Sequence, residues 1–106
     1  VWRQFDSPGR TEMHVGPDEY RETLNRLLAA ARPGLKSLFL ASPFFIEPNR
    51  ADAMRRRMDE YGAIVRELAE AHAATFVDVQ AAFDGLLEHC HASSVAWDRI
   101  HPGPHG

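Results

Sequence analysis

The run Ser37-Leu38-Phe39-Leu40-Ala41 does most to limit what this chain can fold into. It is continuously apolar after its serine, and Pro33-Gly34 before it and Pro43 after it leave it too short for a helix. Residues 35–42 are therefore predicted to form a strand that is apolar on both sides, the mark of a parallel sheet covered by helices on each face. A second short run, Thr75-Phe76-Val77-Asp78-Val79, is β-branched and aromatic and predicts another strand. Between them, Met54, Met58, Tyr61, Val65, Leu68 and His72 recur at spacings of four and three among Arg and Glu, which predicts one long helix over residues 52–72. Strand, helix, strand in that order is a βαβ unit, with parallel strands and a right-handed crossover.

The flanks fit an α/β layer structure. Gly16-Pro17-Asp18-Glu19 starts a helix with glycine at the cap, proline at the first helical position and two acids where the dipole favours them. Tyr20, Leu24, Leu27, Leu28 and Ala31 form its apolar stripe, and Arg32-Pro33-Gly34 ends it. Residues 1–16, with Trp2, Phe5 and His14, carry neither helical nor strand period and read as a loop lying over a surface. A last helix is predicted over residues 80–89, with Ala81, Ala82 or Phe83, Leu86 and Leu87 inward, and residues 90–96 as loop. Two strands leave sheet edges and apolar surface uncovered. Further strands are expected upstream, and a chain opening on Val1 reads as a piece of something longer.

Composition excludes several classes of partner. A net charge of -3 and a pI near 6.0 argue against a phosphate-binding surface, and Arg55-Arg56-Arg57 reads as a solvated helix face rather than a nucleic-acid patch. The longest apolar run, residues 38–46, falls well short of the ~20 residues of a spanning helix. A single cysteine, Cys90, allows no internal disulfide. Compartment and oligomeric state leave no signature in these residues.

Ligands of open α/β sheets bind beyond the carboxyl ends of the strands. Two segments can reach that edge, Pro43-Phe44-Phe45-Ile46-Glu47-Pro48-Asn49 and residues 92–104. The second contains Trp97-Asp98-Arg99-Ile100-His101-Pro102, an acid and a histidine three residues apart. If Asp98 accepts a hydrogen bond from Nδ1–H of His101, the tautomer is fixed and Nε2 is left to take a proton from a nucleophile. Pro102 restrains His101 to extended backbone. Spacing alone also suits a surface ion pair or a turn, because six histidines and fifteen acids produce Asp-x-x-His readily.

Other groups have plainer readings. Ser42 ends the first strand without the small neighbours of a nucleophile elbow and suits a backbone-satisfying role, while Ser93 and Ser94 suit capping. Cys90 lies between His89 and His91, whose side chains diverge from it on a helix, so a half-buried thiol is favoured over a nucleophile. The spacing of His89, Cys90, His91, His101 and His105 matches no closed zinc pattern, so no metal is expected. His72 suits a helix end. Phe44, Phe45 and, from the opening loop, Trp2 are candidate substrate-binding residues, although aromatic residues after a core strand also serve as packing.

Trp97-Asp98-Arg99-Ile100-His101-Pro102 resembles the last sequence block of the SGNH hydrolases, also called GDSL esterases and lipases, in which Asp-x-x-His-Pro supplies the acid and base of the triad. The strand followed by Ser42-Pro43-Phe44, the helix with Met58-Asp59-Glu60-Tyr61, and Phe76-Val77-Asp78-Val79 before a short helix resemble the second half of that domain in the same order. The resemblance implies a flavodoxin-like α/β/α sandwich, with residues 1–106 as the C-terminal portion of a single domain that lacks its N-terminal strands. It implies ester hydrolysis of small acyl esters, acetylated sugars or lipids, with Asp98 and His101 catalytic and no cofactor. The Gly-Asp-Ser nucleophile block and the glycine and asparagine oxyanion blocks of the family are absent, since Asn25 and Asn49 have the wrong neighbours. The isolated chain is therefore expected to be inactive. The competing expectation is a non-catalytic α/β interaction module in which Asp98 and His101 only pin a loop.

Overall fold

In the computed structural model, which describes residues 1, 4, 5 and 9–104, the two predicted strands pair in parallel. Strand β1 (Phe39–Ala41) and β2 (Thr75–Val77) lie with Leu40 opposite Phe76, and helix α2 (Ala53–Ala71) makes the crossover between them. Helix α1 (Pro17–Ala31) precedes β1, and α3 (Val79–Leu87) and the short α4 (Ala92–Val95) follow β2. Single 3-10 turns occupy Thr11–Met13 and Arg32–Gly34. The result is a partial α/β fold with a parallel sheet, and among the described residues no helix is long and apolar enough to cross a membrane.

The local signals work as expected at most element ends. Pro17 opens α1 behind Gly16, Asp52 caps α2 by accepting from Arg55 N–H at 3.0 Å, and Asp78 caps α3 by accepting from Ala81 N–H at 2.9 Å. Both strands are shorter than predicted, three residues each. The ladder runs from Thr75 N–H on Leu38 C=O to Ser42 N–H on Val77 C=O, because each strand has a single neighbour among the described residues to pair with.

Side-chain alternation places Leu40 and Phe76 towards the helices. Leu40 joins Tyr20, Leu24 and Leu38 around a core of Leu28, Ile64 and Leu68, and Arg66 covers the Phe76 ring at 4.6 Å. The opposite sheet face is bare, with Phe39 65% exposed and Val77 also exposed. Helices thus cover one side of the sheet, and the other is the uncovered apolar surface expected of a two-strand portion of such a fold. Leu27, placed in the α1 stripe by its spacing, is 61% exposed because it points past the edge of that core, and Ala31 is exposed as well.

Three expectations are corrected. Residues 90–96 are not all loop, since His91 caps α4 through Nδ1, which accepts from Ser93 N–H at 3.2 Å. The turn of helix that follows inserts Ala92, Val95 and Ala96 into a second core with Ile46, lined by Phe44, Phe83, Leu86 and Leu87. The opening segment holds helical residues at Gln4 and Phe5 besides its 3-10 turn.

Arg55 is the third. It is 1% exposed rather than part of a solvated face, while Arg56 is exposed and Arg57 pairs with Glu60. Its guanidinium meets Asp84 through two bonds of 2.8 and 2.7 Å, Asp59 at 2.9 Å and the Glu47 carbonyl at 2.7 Å. The planar fork of donors matches a carboxylate two-handed, which is what makes burial of this charge tolerable.

The bare sheet face yields a prediction. In isolation, the 106-residue chain should associate and bind a hydrophobic dye, and Phe39→Lys should reduce both. Sedimentation and dye fluorescence check this, and a monomer that unfolds in one cooperative step without binding dye would contradict it.

Candidate active site

The turn carrying Asp98 and His101 grows directly out of the second core. Val95 and Ala96 are buried, and their carbonyls accept from Gly103 N–H at 2.7 Å and Arg99 N–H at 3.2 Å. Arg99 adopts a left-handed φ of 64°, and this single reversal brings the acid and the histidine face to face. Asp98 Oδ1 accepts from the backbone N–H of Ile100 at 3.0 Å and of His101 at 2.9 Å. Its Oδ2 lies 2.6 Å from His101 Nδ1.

A carboxylate can only accept, so Nδ1 donates in this contact, and in the neutral form of the ring Nε2 is the nitrogen left with a lone pair. The Asp98 carboxyl is held well below the usual carboxylate range, first by the His101 backbone N–H, then by the His101 ring and the Ile100 N–H. The Asp98 side chain is 20% exposed and that of His101 80%, so the acid sits behind the ring and the ring faces outward. The arrangement can accept a proton at Nε2 and stabilise the resulting imidazolium.

The neighbouring wall is residues 43–49. Gln80 grips Phe45 at both backbone groups, its Oε1 accepting from Phe45 N–H at 2.8 Å and its Nε2 donating to Phe45 C=O at 3.1 Å. Gln80 Nε2 also donates to Asp84 at 3.0 Å, which ties the loop to the Arg55 network. Ile46 N–H donates to Arg99 C=O at 2.9 Å, so this loop and the Asp98 turn are directly joined. A cavity of about 330 Å³ lies beside the turn, lined among others by Glu47, Leu87, Cys90, His91, Trp97 and Arg99.

The remaining candidates fall as follows. Phe45 is 2% exposed and Phe44 stacks on Phe83 at 4.6 Å, so both rings back the loop rather than line an open surface. Trp2 and His105 lie outside the described residues. Ser42 is buried and its Oγ accepts from Gln80 N–H at 3.2 Å, in the backbone-satisfying role. Cys90 is half-buried with its thiol on Leu86 C=O at 3.4 Å. His72 caps α2 and meets Asn25 at 2.7 Å. Among the described residues no group of three or more His, Cys, Asp or Glu could hold a metal ion.

Sequence reasoning did not single out Glu47, Gln80, Asp84 or Arg99. The Gln80/Asp84 and Arg55/Asp59 pairs, each four apart on a helix, were the available signal.

No protein-family model matches the chain. An acetylxylan esterase of Geobacillus stearothermophilus is 46% identical over all 106 residues, which are 48% of that protein. Its crystal structure superposes with a TM-score of 0.94 over 96% of this chain and 47% of that one. An alpha/beta hydrolase enzyme from the metagenome of Lake Arreo, Spain, is 55% identical, with a TM-score of 0.95 over 96% of this chain and 47% of that one. The chain is thus a homologue of the Geobacillus esterase that spans about half the length of its relatives, and the resemblance to SGNH hydrolases fits both. Structures of the Geobacillus enzyme include variants described as catalytic at a serine near its start and at an aspartate and a histidine three positions apart.

The lowered Asp98 ionisation has a measurable sign. A depressed carboxyl contributes stability that is present above its unfolded value and lost as pH falls through the folded one. The Asp98 carboxyl ¹³C resonance should therefore stay unchanged through about pH 4, where solvated aspartates titrate, and move only at lower pH. In His101→Ala, which removes the ring but keeps the backbone N–H, its midpoint should rise part of the way back.

Proposed function

We propose that these residues are the acid-and-base half of a serine ester hydrolase of the SGNH type, with Asp98 and His101 as two members of its triad. The observation that carries this is the 2.6 Å contact of Asp98 Oδ2 with His101 Nδ1 on a ring whose other side is open. The spacing of the catalytic aspartate and histidine in the Geobacillus esterase supports it.

The chemistry follows from the tautomer. A serine hydroxyl supplied by the remainder of the domain attacks the ester carbonyl as its proton passes to His101 Nε2. Asp98 stabilises the imidazolium. The tetrahedral intermediate collapses, and Nε2–H delivers the proton to the departing alkoxide, leaving an acyl-serine. Water then adds with His101 again as base, and the carboxylic acid leaves as the serine recovers its proton. Oxyanion donors also come from outside this chain, and they supply a large share of the rate. No metal or organic cofactor enters any of these steps.

Among acyl esters, acetylated sugars and lipids, we favour O-acetylated xylose-type sugars, on the name of the Geobacillus relative. The cavity beside Trp97 and Arg99 is roomy enough for one sugar ring and mixes apolar and charged lining, which suits a carbohydrate leaving group better than a lipid chain. Phe44 and Phe45 serve this site from behind, by stiffening its wall.

The complete protein to which these residues belong should release acetate from acetylated xylo-oligosaccharides and from p-nitrophenyl acetate. His101→Ala should lower kcat by about 10⁴-fold or more, and Asp98→Asn somewhat less. The 106-residue chain alone should release none. Loss of stability without loss of activity in His101→Ala would favour the interaction-module reading instead, and turnover by the chain alone would place the nucleophile within it.

A further inference from the structure

Arg99 occupies an uncommon position for a residue with a Cβ. Its φ of 64° lies in the left-handed region, where glycine or asparagine is the usual choice, yet it stands between the acid and the base. A residue held there needs contacts that over-determine it. Besides its N–H on the Ala96 carbonyl, Arg99 has three, all to residues 45–47. Its carbonyl accepts from Ile46 N–H at 2.9 Å, its guanidinium lies 5.1 Å from the centre of the Phe45 ring, and its Nη1 donates to Glu47 Oε2 at 2.5 Å.

Glu47 is fixed in its turn. Its side chain is largely buried, its other carboxylate oxygen accepts from Asn49 N–H at 2.9 Å, and its carbonyl accepts from the buried Arg55 at 2.7 Å. A carboxylate held at both ends is a stationary anchor, unlike the usual surface partner of an arginine, which contributes little because it must first be ordered. The chain of contacts therefore runs from the core, through Arg55 and Gln80, to residues 45–47, and from there to the one residue whose backbone sets the Asp98–His101 geometry.

We infer that Arg99 and Glu47 form a positioning pair that holds the Asp98–His101 turn in its reactive geometry. Neither touches the reacting atoms. Their work is to keep the left-handed reversal populated, so that His101 Nε2 stays aimed where a nucleophile would lie. A small displacement of a general base costs rate far more than it costs substrate binding, because alignment is needed only as the proton moves. This inference rests on the ester-hydrolase reading above.

The test uses the complete protein with Arg99→Ala, Arg99→Gly, Arg99→Lys, Glu47→Gln and the Arg99→Ala/Glu47→Gln double variant. Arg99→Ala and Glu47→Gln should each lower kcat about ten- to a hundredfold with KM within about twofold of wild type. The double variant should be no worse than the poorer single, as expected when two residues act as one device. Arg99→Lys, which keeps the charge on Glu47, should recover most of kcat. Arg99→Gly removes the backbone strain but also the contact, and should remain as slow as Arg99→Ala. Wild-type kcat in Arg99→Gly, or additive losses in the double variant, would overturn the pair.

A readout independent of turnover separates this from the activity itself. The Asp98 carboxyl ¹³C midpoint should rise in Arg99→Ala and Glu47→Gln as the turn loosens. If the wild-type protein hydrolyses no ester but the midpoint still rises, the ester-hydrolase reading fails and the clasp on the turn stands. If the wild type is active and both kcat and the midpoint are unmoved in these variants, the pair is wrong and the ester-hydrolase reading survives.

Discussion

One buried cation organises the end of this structure that carries Asp98 and His101. Arg55 leaves the long crossover helix and binds Asp84 on α3, Asp59 on its own helix and the Glu47 carbonyl on the loop after β1, joining three segments through one guanidinium. Asp84 then accepts from Gln80, and Gln80 holds Phe45. Breaking a network of this kind by removing one partner typically costs about 3–5 kcal/mol, since the remaining charge is left buried and unmatched. Its directionality matters more here than its strength. An apolar cluster would hold residues 43–49 near α3, whereas a fork of donors and acceptors holds them in one orientation, and the Asp98 turn is docked on that orientation through Ile46 N–H.

The fold was legible where a local signal and a burial pattern agreed. Pro17 behind Gly16, Asp52 before α2 and Asp78 before α3 are caps whose chemistry needs no tertiary partner, and the βαβ order followed from two apolar runs and the helix between them. Legibility failed where the outcome depended on what stands opposite. The spacing that put Leu27 in a core stripe could not reveal that the core ends before it. The three consecutive arginines read as solvent-facing because nothing local to them announces Asp84, which is 29 residues away in sequence. Residues 92–96 looked like loop because a four-residue helix is too short to show a period, and it forms because its apolar residues have Ile46 and Leu86 to pack against.

The site divides along the same line. Asp98 and His101 were visible because their partnership spans three residues and is carried by the turn itself. Ser42 and Cys90 kept the plain roles their neighbours suggested. The supporting residues Glu47, Gln80 and Arg99 were invisible, for each is meaningful only through contacts made across the fold. A motif can thus announce which atoms would do the chemistry while saying nothing of the scaffold that aims them.

The bond from Gly103 N–H to the Val95 carbonyl has a practical meaning for handling the molecule. It closes a loop that begins at a buried residue and returns to it, with Asp98 and His101 inside, so the histidine is carried by the core rather than by a free tail. Motion in whatever follows Gly103 is mechanically decoupled from the imidazole. An affinity handle or a fluorophore joined beyond that point can swing without dragging the ring, whereas a label at residues 97–102 would sit inside the closed loop and disturb it.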